Sequence, residues 1–173
     1  MKHIDTYPIV DTYPLVLQWA QRIGATRLSQ WLHNTPWVVP TSQSIHIISL
    51  SMVFGSALMI NLRLLGVGRS GRSVSELTAA LVPWIYAGLA VLLVTGTLQT
   101  LSEPERQLAA AAFWWKMLMI VCVWALTVRF ARAVRHDPVQ WNQTVTRPPG
   151  ARLFALVSLG LWLGIIYCGR LID

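Results

Sequence analysis

Four long apolar runs divide this chain, at residues 44–66, 79–101, 110–130 and 151–172. A helix needs about 20 mainly apolar residues to cross the hydrocarbon core of a bilayer, and each run meets that length. In hydrocarbon every backbone N–H and C=O must find its partner within the segment, so such runs become helices. Only 12% of the residues are charged, about half the share in a soluble domain. The connections between the runs leave no room for a second globular domain. The expected fold is an all-α integral membrane protein, a four-helix transmembrane bundle over residues 14–173 preceded by a flexible or partner-bound tail at 1–13.

The net charge of +7 invites a nucleic-acid reading, but the basic residues flank the apolar runs. Arg63, Arg69 and Arg72 follow the first run; Arg129, Arg132, Arg135, Arg147 and Arg152 bracket the connection from the third run to the fourth. The second-to-third connection instead carries Glu103, Glu105 and Arg106. By the positive-inside rule both Arg-rich connections are cytoplasmic and both termini face outward. The basic excess is therefore a topology signal, and no nucleic-acid partner is expected. The first apolar run begins beyond residue 40, so no cleavable signal peptide is expected either.

Residues 14–37 read as an amphipathic segment. Leu15, Trp19, Ile23, Leu28, Trp31 and Leu32 alternate with Gln18, Gln21, Arg22, Arg27 and Gln30. That pattern places an interfacial helix in the headgroup plane with tryptophan anchors, open to interruption at Gly24. Pro36 and Pro40 then turn the chain into the first span. Ser73 and Glu76 have capping-box spacing and mark a helix start before the second run. Pro83 predicts a kink in that run or a later start. Gly160 and Gly164 have the GxxxG spacing of a close-packing face. Cys122 and Cys168 differ in depth by about 13 Å, too far apart for a disulfide.

Two ionisable side chains, His46 and Lys116, lie within apolar runs. Such groups are costly in hydrocarbon, face a bundle interior or polar cavity, and mark working sites. At about 100° per residue, His46, Ser49, Met52, Ser56, Met59 and Arg63 fall within about 140° on the first helix, a stripe expected to face its neighbours. Ile45, Ile47, Leu50, Leu58 and Leu62 form the other side, suited to lipid. With the stated topology, His46, the polar stretch Thr95 to Gln99, Lys116 and Arg170 share the outer third of the bundle. For Lys116 the alternative is snorkelling to the headgroups.

A histidine between facing helices is a usual axial ligand of haem b. No other apolar run contains a histidine, so a haem here is five-coordinate, takes Lys116 or Met52 as its second ligand, or borrows one from a partner. Lys116 and Arg170 are alternatively suited to the propionates. Copper is the other candidate, since imidazole and the Met52 thioether suit Cu(I). No catalytic triad, paired carboxylates, phosphate loop or zinc signature supports a hydrolase.

Trp31-Leu32, Pro40, His46, Gly55 and the run Leu62 to Gly66 are followed by Pro83-Trp84, Gly88, Thr95-Gly96, Phe113, Lys116, Leu161-Trp162 and Gly169-Arg170. Over about residues 28–172, this order resembles a family of small four-helix bacterial membrane proteins. That family is similar in turn to the HemJ-type protoporphyrinogen oxidases and, more loosely, to the copper resistance D family. The HemJ-type pattern of a histidine early in the first helix, an arginine near its end and a lysine in the third matches His46, Arg63 and Lys116. The resemblance implies an inner-membrane protein with a haem b-related redox role, with His46, Lys116 and Arg63 among its functional residues. Two other roles stand beside it: copper transport or delivery, and an accessory subunit of a larger membrane complex without its own cofactor. A membrane or periplasmic redox protein is the partner the first role expects.

Overall fold

The computed structural model describes residues 14–67, 71, 73–142 and 150–172. The expected tail at 1–13 and the arginines Arg69, Arg72 and Arg147 lie outside them. The described residues form eight helices: α1 (Pro14–Gly24), α2 (Arg27–Asn34), α3 (Val38–Leu65), α4 (Val74–Ser102), α5 (Pro104–Ala109), α6 (Ala111–His136), α7 (Pro138–Asn142) and α8 (Ala151–Ile172). Of these, α3, α4, α6 and α8 are long and apolar enough to cross a membrane. The protein is an all-α, multi-pass membrane bundle with an amphipathic amino-terminal segment, as its apolar runs require.

The amphipathic segment breaks after Gly24 into α1 and α2, and Thr26 caps α2 by accepting from Ser29 N at 3.3 Å. Its buried side is Ala20, Ser29 and Leu32, whereas Leu15, Trp19, Leu28 and Trp31 are exposed. Burial thus falls on Leu32 and two small residues that seat the pair against the bundle, and the tryptophans remain on the outer side. Ser29 Oγ donates to Leu101 O at 2.6 Å, tying α2 to the carboxyl end of α4.

Hydropathy placed several helix ends too early or too late. The Ser73–Glu76 capping box is formed in both directions, and α4 starts directly after it at Val74. It continues unbroken through Pro83, an exposed residue, so the later start does not occur. Past the expected end at residue 130, α6 continues to His136. Arginine is a good helix former, and the water-exposed end of a span solvates it. The 101–110 loop folds into α5, with Pro104 at its first turn, where a missing N–H costs nothing.

The spans form two intimate antiparallel pairs, α3 with α4 and α6 with α8, and α8 also packs on α3. Gly88 lets α4 approach Val53, Met52 and the Ser49 carbonyl of α3. Gly164 plays that part in the second pair, where an added Cβ would lie 2.7 Å from Met119 Sδ. The expected GxxxG face is only half correct: Gly160 is exposed and a Cβ there would meet nothing within 4 Å. Asn61 and Ser158, both buried, join α3 to α8 through a 3.1 Å hydrogen bond, and the buried Trp162 meets Phe54 edge-on nearby. Phe130 stacks on Phe154 at 4.8 Å and closes the Arg-rich end.

Candidate functional site

His46 lies in the third turn of α3, half-buried, and its ring faces α4. Nδ1 is 2.7 Å from the hydroxyl of Thr95, a residue only 5% exposed. Beside it Gly96 presents bare backbone; a Cβ there would lie 3.5 Å from Cε1 of the ring. One turn outward Ser42 Oγ donates to the Thr95 carbonyl at 3.3 Å, pinning the same stretch of α4 to α3. The polar stretch of the second span is thus an imidazole seat. Gln99, one turn beyond Thr95, has its Nε2 sealed from solvent with no acceptor among the described residues. A buried donor left in that state costs about 1–3 kcal/mol.

Lys116 is half-buried in the second turn of α6 and reaches across to α8, where its Nζ is 3.7 Å from a Cβ built on Gly169. The ammonium therefore sits at the last turn of α8, where helix carbonyls favour a cation. Trp114 and Trp115 beside it are exposed, as an interfacial belt requires. The antiparallel contacts between Asn61 and Ser158 and between Phe54 and Trp162 fix the depth of α8 against α3. Continuing to Gly169 at helical rise brings Lys116 within about a turn of the His46 level. The two ionisable residues share one end of the bundle but belong to different helix pairs.

The remaining expected site residues are dispersed. Arg63 lies 17 residues beyond His46 on one continuous helix, about 25 Å away and at the opposite end of the span. Its Nε is buried without a hydrogen-bond partner among the described residues, but it cannot join a site at His46. Met52 packs its methyl at Gly88, whereas His46 packs at Gly96, positions about 12 Å apart along α4. The α3–α4 contact directs each to a different turn of α4, so the structure does not bring the two together. Met59, placed on the inward stripe by its angle, is 53% exposed, while Ser49 and Ser56 of that stripe are buried. Ile45 and Ile47 face outward as expected, but Leu50 packs against the core. Arg170 is exposed on the final turn of α8.

Cys122 and Cys168 are both free thiols. Among the described residues no group of three His, Cys, Asp or Glu side chains is placed to hold a metal ion. His33 lines an open cleft of about 460 Å³ with Ser29, Ser102, Glu105 and Arg106, between α2 and the α4–α5 turn. Arg106 there pairs with Glu103 at 2.6 Å. Reading the runs by hydropathy missed the Asn61–Ser158 link. Its one signal was an amide within an apolar stretch, Ile60-Asn61-Leu62.

The donor set at His46 fits an imidazole-ligated cofactor in one respect. Metal-bound histidines use one nitrogen for the metal and the other for an orienting hydrogen bond. The contact with Thr95 supplies such a bond.

No curated protein and no solved structure matches this sequence. A family model matches residues 35–173, which include all four spans and exclude α1 and α2. The chain belongs to the family described as "Family of unknown function (DUF6644)".

Proposed function

We propose that this is a haem b-binding protein of the bacterial inner membrane, with His46 as the axial ligand and a role in electron transfer. The observation that carries the reading is the seat of His46: an ionisable ring within a span, hydrogen-bonded at one nitrogen to a buried threonine. An unneeded ionisable group within a membrane costs about 2.5–3.5 kcal/mol at the centre, less near the interface. The resemblance of the His46, Lys116 pattern to the HemJ-type proteins supports the same reading. A bound haem supplies one-electron chemistry.

The chain's own residues then have distinct tasks. His46 anchors the group, and Thr95 with Ser42 holds the anchoring ring and its backbone. Lys116 supplies a cation at the same depth, suited to a carboxylate of the cofactor. Trp114, Trp115 and the exposed tryptophans of α1 and α2 sit where headgroups meet hydrocarbon. With the Arg-rich end cytoplasmic, the His46 end and both termini are periplasmic. Electrons would pass between a membrane quinone or porphyrin-like donor and a redox partner on the outer side.

The test is the absorption spectrum of detergent-purified protein, oxidised and dithionite-reduced, with pyridine haemochrome quantitation. A Soret band at about one haem b per chain, lost in His46→Ala, is the expected result. A colourless protein from haem-replete cells, or a spectrum unchanged in His46→Ala, would overturn the ligand assignment. Stoichiometric copper in place of haem would move the function to metal handling, with His46 rather than Met52 as the group to test.

A further inference from the structure

The His46–Thr95 contact has a direction, and the rest of α4 decides it. Thr95 Oγ1 is 2.7 Å from His46 Nδ1 and 2.8 Å from the carbonyl oxygen of Val91, one turn back on its own helix. A hydroxyl has one proton to donate and two lone pairs with which to accept. If that proton goes to Val91 O, the imidazole donates Nδ1–H to Oγ1 and both short contacts are hydrogen bonds. If it turns to Nδ1 instead, two oxygens face each other at 2.8 Å with no proton between them. At a hydroxyl as buried as that of Thr95, where water is a poor source of the missing donor, the first arrangement satisfies more groups. Threonine in a spanning helix also bonds back to its i−4 carbonyl as a matter of course. Thr97 and Thr100 do so on this helix, to Leu93 O and Gly96 O.

We infer that Thr95 is a positioning residue that locks His46 as the Nδ1–H tautomer, so that Nε2 carries the lone pair and is the nitrogen offered to a Lewis acid. The inference deepens the proposed function in naming what Nε2 is for, and it rests on that reading only there. Which nitrogen bears the proton follows from Thr95 and Val91 whether or not iron binds.

Thr95 is well placed for this role. Thr95 is only 5% exposed, so its hydroxyl has little access to water as a competing partner. Ser42 holds the Thr95 carbonyl from α3, which fixes the helix register at this turn. Gly96 shares the ring contact but not the hydrogen bond; an added methyl would lie at ordinary contact distance, 3.5 Å. Gly96→Ala is therefore a control that touches the ring without altering its protonation.

The experiment is ¹⁵N NMR of the full chain, labelled at histidine, purified without haem and measured where imidazole is neutral. His46 is identified among the four histidines by its loss in His46→Gln. The expected result is a protonated Nδ1 and unprotonated Nε2 in the wild type, in Thr95→Ser and in Gly96→Ala. Thr95→Val, similar in shape but without the hydroxyl, should lose that preference. A wild-type His46 protonated at Nε2, or a Thr95→Val protein with the wild-type tautomer, would overturn the inference. Should Thr95→Val fail to fold, the wild-type tautomer and Thr95→Ser still decide it.

Haem titration of the same proteins provides the second readout. Thr95→Val should lose about tenfold or more in haem affinity, the scale on which orienting partners act, while Thr95→Ser retains it. Protein with the Nδ1–H tautomer and no haem affinity would sink the haem reading and leave the positioning role standing. Haem-binding protein with the opposite tautomer would do the reverse.

Discussion

Gly88 of α4 and Val53 of α3 meet so closely that a side chain at position 88 would occupy the space of the valine methyl. Val53 is fully buried, so one of the two helices must shift or the valine repack. Gly88→Ala should therefore destabilise the protein by about 1–3 kcal/mol, the usual cost of overpacking. Gly160→Ala adds the same methyl to an open, exposed position and should change stability by less than about 0.5 kcal/mol. Thermal unfolding in detergent compares the two; equal losses would mean that α3 and α4 do not touch where described.

The Asn61–Ser158 bond joins two helices far apart in sequence, and both residues are buried. Hydrogen bonds between membrane helices average about 0.6 kcal/mol in double-mutant cycles. Asn61→Ala, Ser158→Ala and the double variant should give a coupling of that order in a denaturant titration. Strict additivity would remove this bond from any account of how α8 docks on α3.

Lys116 places its ammonium beside Gly169 in the last turn of α8. Lys116→Met keeps the aliphatic length and removes the charge. Loss of a cation at a helix carboxyl end should cost about 0.3–1 kcal/mol, with Lys116→Arg retaining most of it. A lysine that instead snorkels to the headgroups would leave unfolding unchanged in both variants.

Topology has a direct readout. In a chain with Cys122 and Cys168 replaced by alanine, single cysteines at Glu105 and Gln140 mark opposite ends, since both positions are exposed. A membrane-impermeant maleimide added to intact spheroplasts should label Glu105→Cys but reach Gln140→Cys only after permeabilisation. The opposite pattern would put the His46 end in the cytoplasm and reverse the direction proposed for electron transfer.

Much of this architecture was legible along the chain. The four spans follow from length and apolar content, and Ser73 with Glu76 marks the start of α4 before any packing is considered. Less legible were features set by neighbours. Gly160 and Gly164 have the same spacing signal, yet only Gly164 meets another helix. Met59 shares an angular stripe with Ser56 and still faces outward, because none of the described helices covers that arc. Of the candidate site, His46 and Lys116 stood out by chemistry alone, and their shared depth followed from the charge pattern. Arg63 joined them only through the HemJ-type pattern, and on the one helix it shares with His46 roughly 25 Å of rise separates the two.

The division has a physical basis. In hydrocarbon each span must satisfy its own backbone hydrogen bonds, a local demand that a local run of apolar residues answers. The sequence by itself therefore determined how many helices cross the membrane and which end carries the arginines. Helix association in lipid has little hydrophobic drive and depends on surface shape, small residues and a few polar contacts drawn from distant segments. Only the tertiary structure could decide that α3 packs on α4 through Gly88, so that Thr95 meets His46, and that α6 packs on α8, so that Lys116 reaches Gly169.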